Sequence, residues 1–263
     1  MGKKLGQHFL KNEKWAELVA AELSQFKTVI EIGPGLGALT EKIVLNILPE
    51  TNFLAVEKDF RFIPLLEKRF PSVKFIEGDI LKVLPDLMRE QKDEYAIVGN
   101  IPYYLTGFLL REIGDSENRP RQCIFMTQKE VAERICAEEG KMNKLAASVQ
   151  LWGAPKILAS IPRKDFSPPP KVESAIIEIS CPKSNRNSNF ASVFLVIRSI
   201  FAQPRKTLLN NLSTVVDLPK DKIFGEIKNL GLSENSRPQD LDIAKISEIA
   251  KKFKKYFDKS LKK

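Results

Sequence analysis

The chain has 263 residues, 43% of them hydrophobic and 29% charged, which suffices for one large domain or for a main domain with a smaller one. Its three cysteines, Cys123, Cys136 and Cys181, form no C-x-x-C pair, which argues against a disulfide framework and a thiolate zinc site. The sequence shows neither a secretory signal nor a membrane-length apolar run, so it predicts a soluble, cytoplasmic protein with no membrane partner.

The net charge of +9 is unevenly distributed. Residues 183–263 hold 17 Lys or Arg against 8 Asp or Glu, whereas the other 182 residues hold 25 of each sign. A neutral body with a basic appendage favours a polyanionic partner. The alternative is a solvated tail, because seven of those lysines lie in the last 13 residues.

In chain order, a leading helix is predicted over Asn12–Phe26, where apolar residues recur at helical spacing. Short β-branched runs then alternate with longer helical patterns, which is typical of a parallel sheet with crossover helices. The predicted strands are TVIEIG (28–33), NFLAVE (52–57), VKFIEGD (73–79), YAIVGN (95–100) and QCIFMTQ (122–128). The fold class is therefore α/β, a doubly wound Rossmann-like sheet, which binds ligands beyond the carboxyl ends of its strands.

Two further strands are predicted at KILASIP and SAIIEIS, before the polar segment PKSNRNSN. We place a domain boundary at that segment, with a catalytic domain over 1–182 and a small helical domain over 183–263. In its last helix, an apolar stripe is predicted to face the core. It consists of Ile246, Ile249, Ala250, Phe253 and Phe257.

The first motif, VIEIGPGLGALTEKI, is a strand, a turn with Gly33, Gly35 and Gly37, and a helix. Glycine permits positive φ and a close approach of backbone to ligand. Nicotinamide and flavin enzymes use related loops, so the loop alone is weak evidence. The spacing G-x-G-x-G, with Glu31 in the strand before it, favours S-adenosylmethionine over a dinucleotide.

Acidic residues end the next two strands. Glu57 lies 20 residues after Gly37, where a carboxylate can accept hydrogen bonds from both ribose hydroxyls. Asp79 could accept one from the adenine amine of the cofactor. The alternative is an ordinary surface glutamate and a common strand exit, but acceptors and glycines at three successive strand ends outline one adenosine-shaped pocket.

The most specific segment is GNIPYYLTG, residues 99–107, at the end of the fourth strand. The amine of adenine is a poor nucleophile because its lone pair is delocalised into the ring. The side-chain oxygen of Asn100 and the backbone carbonyl of Ile101 or Pro102 could accept from the amine hydrogens and localise that pair. Tyr103 would stack on the base. The alternative is a plain strand-exit turn with two core tyrosines.

Other catalytic groups are scarce. His8 is the single histidine, so neither a histidine triad nor a histidine metal site can be built, and no metal is predicted. Methyl transfer to a neutral amine needs neither, because the cofactor supplies the activated methyl group and the proton can leave to solvent afterwards.

Four stretches in order, GQHFL (6–10), EIGPGLGALT, NIPYYLTG and DFSPPPKVESAI (165–176), resemble the motifs of the rRNA adenine N6-dimethyltransferases. The resemblance covers nearly the whole chain and implies S-adenosylmethionine as cofactor. It implies that Asn100 and Tyr103 act at the target amine and that Phe166 stacks on the flipped adenine. The cofactor contacts that it implies are His8, Leu10, Gly33, Glu57, Asp79 and Asn100. At position 8 many relatives have Asn, which can also hydrogen-bond.

The segment FAQPRKTLLNNL (201–212) is similar to the bacterial small-subunit branch of that family. This branch dimethylates two adjacent adenosines in a hairpin loop near the 3′ end of small-subunit rRNA. The implied partner is that RNA within a pre-assembled subunit, bound by a monomer through phosphate contacts at Arg205 and Lys206. Relatives often carry more arginine where this chain has Gln203 and Pro204.

Four other functions compete with this interpretation. An Erm-type enzyme would modify large-subunit rRNA, but the C-terminal segment argues against it. A DNA adenine methyltransferase would have proline where this chain has Ile101. A noncatalytic ribosome-assembly factor would not need Asn100 and Tyr103 intact, and a nicotinamide oxidoreductase fits the glycine spacing least well.

Overall fold

Strands and helices alternate along the part of the chain that the structure, a computed structural model, describes, namely residues 8–186, 188 and 190–260. The strands are β1 (Phe9–Leu10), β2 (Thr28–Ile32), β3 (Asn52–Glu57), β4 (Lys74–Glu77), β5 (Tyr95–Asn100), β6 (Gln122–Gln128), β7 (Ala154–Ile161), β8 (Phe166–Ser167) and β9 (Ser174–Ser180). The helices are α1 (Glu13–Ala21), α2 (Ala38–Asn46), α3 (Ile63–Arg69), α4 (Ile80–Glu90), α5 (Thr106–Asp115), α6 (Lys129–Ile135), α7 (Lys144–Gln150), α8 (Lys183–Arg186), α9 (Ala191–Ile200), α10 (Leu208–Leu212), α11 (Lys220–Asn229) and α12 (Ile243–Ser260). Short 3-10 helices lie at Tyr103–Leu105, Arg163–Asp165 and Pro238–Asp240.

Seven of the described strands form one sheet in the order β4-β3-β2-β5-β6-β9-β7. The strands from β4 to β6 in that order are mutually parallel and coincide with the five predicted strands. The two further predicted strands are β7 and β9, and β9 is antiparallel to both β6 and β7. The chain passes from β7 to β9 without a crossover helix, which is how antiparallel neighbours connect. The α/β fold is confirmed, with a mixed sheet.

The middle of the sheet is buried on both faces. Every residue of β2 and all but the last of β5 are buried, as expected for strands covered by helices on each side. On one face α1 packs through four residues: Trp15, Ala16, Val19 and Ala20. Asn12 caps this helix by accepting the N–H of Lys14 at 3.2 Å. The leading helix is therefore present but ends at Ala21, before the predicted Phe26.

The chain divides into two compact units, residues 1–133 with 153–188 and residues 134–152 with 189–263. The last boundary between the units, after residue 188, lies six residues beyond the boundary predicted between residues 182 and 183. The difference is larger at 134–152, which the sequence places in the catalytic domain. In the structure Met142, Ala146 and Leu151 pack into the core of the second unit, so this segment belongs to that unit.

The second unit is helical, as predicted. Its apolar core includes the stripe residues of α12, namely Ile246, Ile249, Ala250 and Phe253, each at most 3% exposed. The predicted fifth member, Phe257, has a side chain outside the described ones. Among the described helices, none combines the length and the apolar character that a bilayer crossing requires.

Gly37 closes the loop between β2 and α2 and has a φ of +81°. A Cβ at this position would lie 2.7 Å from the ring of Phe70 and 3.1 Å from Leu66. Gly33, in the same loop, has a φ of +67° but open space around its Cβ position. The loop thus needs glycine at Gly37 for conformation and for packing, and at Gly33 for conformation alone.

We expect Gly37→Ala to destabilise the protein by roughly 2 to 4 kcal/mol, because it adds a clash with a buried ring to the strain of positive φ. Gly33→Ala, the matched control, carries only the strain and should destabilise by about 1 to 2 kcal/mol. Denaturant unfolding of both variants measures the difference. Equal losses would contradict the packing role of Gly37.

Candidate active site

A pocket opens at the carboxyl ends of β2, β3, β4 and β5, the edge at which a doubly wound sheet binds ligands. The structure brings most of the predicted site residues together in its lining: His8, Leu10, Gly33, Gly35, Glu57, Asp79, Asn100, Pro102 and Tyr103. The parallel strands place these residues side by side, although they are far apart in sequence.

Glu57 holds the glycine loop in place. Its side chain is 4% exposed, and its Oε2 accepts the N–H of Gly35 at 3.0 Å while Oε1 accepts the N–H of Asp59 at 2.8 Å. A carboxylate oxygen has a second acceptor site, so both oxygens retain capacity for a ligand. A fixed carboxylate with this capacity fits the vicinal hydroxyls of a ribose.

Glu31 lies in the same pocket wall and is 1% exposed. Its Oε2 accepts the hydroxyl hydrogen of Thr40 at 2.7 Å. Burial raises the pKa of this carboxyl to about 8, against the hydrogen bond from Thr40, and the charge of Glu57 adds to the rise. Glu31 therefore holds a proton at neutral pH.

Asp79 caps α4 by accepting the N–H of Leu81 at 3.1 Å. Its other oxygen pairs with the ammonium of Lys58 at 2.7 Å. That hydrogen bond holds the pKa of the Asp79 carboxyl below its usual value, so this acceptor is ionised at neutral pH. Lys58 directly follows Glu57, and no motif in the sequence predicts a role for it.

The side-chain amide of Asn100, at the end of β5, is held in one orientation. Nδ2 of Asn100 donates to the backbone carbonyl of His8 at 2.9 Å. This commits the nitrogen of the side chain and leaves its oxygen as an acceptor in the pocket. The carbonyl of Pro102 accepts the N–H of Leu105 at 2.8 Å, which closes the turn.

The ring of Tyr103 is held from two sides. Its hydroxyl lies 2.9 Å from Oγ of Ser174, and its ring stacks on the His8 ring with centroids 6.1 Å apart. Nδ1 of His8 lies 2.7 Å from the carbonyl oxygen of Pro168. Ser174 closes the late motif in the sequence, but only the fold shows that it supports the tyrosine.

Two of the residues predicted for the pocket, Phe166 and Gly37, are not in its lining. Phe166, expected to stack on the target adenine, is 2% exposed and packs in the core, where its backbone pairs with Leu10 between β8 and β1. Stacking of this ring on the target adenine therefore stays a prediction. Gly37 shapes the loop through its φ and its packing on Phe70.

Arg205 and Lys206 lie in the second unit, exposed, in the turn between α9 and α10. The side chain of Asn211, 2% exposed, holds this turn. Its Nδ2 donates to the carbonyl of Gln203 at 3.0 Å, and its Oδ1 accepts the N–H of Gln203 at 3.0 Å. The two cations are therefore presented on an ordered turn.

In the part of the chain that the structure describes, no three His, Cys, Asp or Glu side chains are grouped so that they could hold a metal ion. The pocket instead combines buried carboxyl groups, backbone free of Cβ atoms and an oriented amide. This donor set fits S-adenosylmethionine, which carries ribose hydroxyls, an adenine amine and positive charge.

The family model "Ribosomal RNA adenine dimethylase" matches residues 1–255. A relative from Dehalococcoides mccartyi (strain CBDB1), named ribosomal RNA small subunit methyltransferase A, is 37% identical over 248 residues, 92% of this chain and 84% of its own. The chain belongs to the ribosomal RNA adenine dimethylase family. This confirms the family indicated by the four motifs. A relative of the same name from Fusobacterium nucleatum is 36% identical over 261 residues, covering 95% of this chain and 97% of its own.

Solved structures show the same architecture. A dimethyladenosine transferase from Plasmodium falciparum matches with a TM-score of 0.79 at 25% identity, over 95% of this chain and 98% of its own. The 23S rRNA methyltransferase ErmE matches with a TM-score of 0.74 at 20% identity, over 94% of this chain and 99% of its own. The second match shows the fold alone.

We expect Glu31→Gln to flatten the pH dependence of stability in the cofactor-free protein. The pKa of this carboxyl is 4.5 in the unfolded chain and about 8 in the folded chain. Its contribution to the free energy of unfolding is therefore complete below pH 4.5 and is lost as the pH rises towards 8. Glutamine cannot ionise, so the variant should exceed wild type in Tm by several degrees more at pH 8 than at pH 5.

Thermal unfolding across that pH range, with the exposed Glu67→Gln as control for loss of a carboxyl, makes the comparison. If Glu31→Gln and wild type show the same slope of Tm against pH, Glu31 is not a protonated buried group.

Proposed function

We propose that this chain transfers methyl groups from S-adenosylmethionine to N6 of two adjacent adenosines in a hairpin loop near the 3′ end of small-subunit rRNA, giving N6,N6-dimethyladenosine. Family membership supports the chemistry, and the names of the relatives support the small subunit as the substrate. The observation that carries the proposal is the oriented Asn100 amide beside Tyr103, in a pocket whose other wall is Glu57 and the glycine loop.

The cofactor supplies an activated methyl group on a positively charged sulfur. Glu57 would accept from the ribose hydroxyls and Asp79 from the adenine amine. His8 and Leu10 line the pocket beside Gly33, whose missing Cβ leaves room for close approach of a ligand. The protonated Glu31 keeps two negative charges from meeting in the pocket wall before the cofactor binds.

At the target amine, two acceptors are needed to pull the nitrogen towards tetrahedral geometry. We assign the first to Oδ1 of Asn100, because Nδ2 is already bound to the His8 carbonyl. The second is the backbone carbonyl of Ile101 or that of Pro102, whose oxygen keeps one acceptor site beside the N–H of Leu105. Pro102 fixes the turn that presents both acceptors.

Tyr103 would hold the flipped base by stacking, with its ring kept in place by Ser174 and by the His8 ring. A loop adenosine is a favourable target, because an unpaired base leaves its neighbours at low cost. The site must also accept the monomethylated base, so it cannot require both amine hydrogens for binding.

The substrate is rRNA within a pre-assembled small subunit, bound by a monomer in the cytoplasm. The second unit is basic and carries Arg205 and Lys206 on an ordered turn, which supports electrostatic contacts with RNA phosphates. A labelled-methyl assay on undermodified small and large subunits, followed by mass spectrometry of the nucleosides, tests the proposal. Incorporation into large subunits alone would contradict it.

Asn100→Ala should lower methyl transfer by roughly 100- to 1,000-fold, because it removes an acceptor that acts at the developing charge. RNA affinity should stay near that of wild type. Asn100→Asp keeps an acceptor oxygen and should recover part of the rate, which a purely structural role would not predict. Single-turnover rates with saturating cofactor measure the effect, with exposed Asn46→Ala as control. Wild-type turnover in Asn100→Ala would refute the assignment.

Neutralising Arg205 and Lys206 together to Gln should weaken RNA binding and flatten its dependence on salt by roughly one unit of log–log slope for each lost phosphate contact. The matched control is Lys245→Gln with Lys252→Gln, because these lysines lie in the same unit but pair with Glu248 and Glu226. Titrations at several salt concentrations give the slopes. An unaltered slope would mean that the turn does not contact RNA.

A further inference from the structure

We propose that the exposed face formed by the 3-10 helix at Tyr103–Leu105 and by α5, which follows it, binds the unpaired strand next to the target adenosine, with Tyr104 and Phe108 each stacking on one nucleobase. This inference rests on the proposed function and names further substrate contacts for the same site. Tyr104 and Phe108 are distinct from Asn100 and Tyr103, the residues assigned to the target amine.

The two rings are exposed on one face. Tyr104 is 60% exposed and lines the pocket, directly after Tyr103. Phe108, four residues later, is 62% exposed. Residues at this spacing on a helical run are neighbours on the same face. The other face is buried, with Leu109 and Leu110 at most 2% exposed. An aromatic path therefore leads out of the pocket along the helix.

Gly107 lies between the rings in the first turn of α5. It is exposed, and a Cβ built on it would meet no atom within 4 Å. Glycine within a helix costs about 0.5 to 1 kcal/mol relative to alanine. Nothing in the packing of the chain requires it, so the open space over Gly107 is available to the backbone of a bound strand.

Cations flank this face. Lys58, whose side chain is 59% exposed, lines the same pocket as Tyr104. Arg111, one turn after Phe108, has a side chain that is 74% exposed, in a loose pair with Asp115 at 3.4 Å. Aromatic rings interleaved with exposed cations are what single-stranded nucleic acid binds, by base stacking and phosphate contact.

The spacing of the rings favours unpaired nucleotides. Residues four apart on a run that passes from a 3-10 helix into an α-helix are roughly 6 to 7 Å apart along its axis, whereas bases in a duplex strand repeat every 3.4 Å or so. Neighbouring bases can therefore reach the two rings only when they are unstacked from each other. Loop nucleotides meet that condition and duplex nucleotides do not.

The test uses the full chain and two readouts. In methyl transfer to undermodified small subunits, Phe108→Ala and Tyr104→Ala should each raise KM about tenfold or more, the range of one lost base stack. Phe108→Tyr and Tyr104→Phe keep a ring and should restore KM. Leu45→Ala, which removes a 73% exposed apolar side chain from α2, is the matched control and should leave KM unchanged.

The second readout is the fluorescence of 2-aminopurine placed on either side of the paired adenosines in a hairpin RNA. Wild type should change it on at least one side, because 2-aminopurine is brighter when it is unstacked from neighbouring bases. Phe108→Ala should not change the fluorescence, and Phe108→Tyr should. If wild type methylates the subunits, but Phe108→Ala has the KM of Leu45→Ala and the fluorescence change of wild type, this inference is wrong and the proposed function stands.

If wild type transfers no methyl group to small subunits, the proposed function fails, while the fluorescence assay still reports whether these rings bind an unpaired strand. If Tyr104→Ala does not fold, Phe108→Ala and Phe108→Gln, at a position outside the pocket lining, decide the outcome alone.

Discussion

The hydrogen bond from the Asn100 amide to the His8 carbonyl is the contact on which the reacting end of the pocket depends. It joins the end of β5 to the segment that leads into β1, and that segment is itself held through β8 by the pairing of Leu10 with Phe166. The same histidine supports the ring of Tyr103. An amide that could rotate would present a donor as often as an acceptor. The orientation that the proposed chemistry requires therefore comes from residues more than 60 positions away on either side of Asn100.

At the other end of the pocket, the free-energy cost of burying charge determines the state of the carboxyl groups. Two carboxyl groups, Glu31 and Glu57, lie in one wall with almost no exposure to solvent. Glu57 has both oxygens satisfied by backbone N–H groups, and Glu31 keeps its proton. A buried negative group is tolerated only with such partners. The wall is consequently prepared for a ligand that brings hydroxyl groups and positive charge, before any ligand arrives.

Much of this was accessible from the sequence, because the strands of a parallel sheet are short β-branched runs and their ends converge on one edge. Glu57, Asp79 and Asn100 could be placed in one pocket for that reason alone. Antiparallel β9 was visible as a strand, although its direction was not. Nor could local pattern show that Phe166 packs in the core or that Ser174 supports Tyr103, since both depend on partners chosen by the fold. Residues 134–152 were not separated from the catalytic domain, because the partners of Met142, Ala146 and Leu151 in the second unit are set by the fold.

The assignment of residues 134–152 to the second unit means that the chain crosses between the units three times, after residues 133, 152 and 188. The helical unit is therefore not a module appended at the C-terminus. Cleavage of the chain near residue 183 would remove the core partners of Met142, Ala146 and Leu151 and would leave an exposed apolar surface on the larger fragment. If recombination exchanged only the C-terminal region among relatives, the new region would have to pack against the existing residues 134–152. The two units are therefore expected to evolve together.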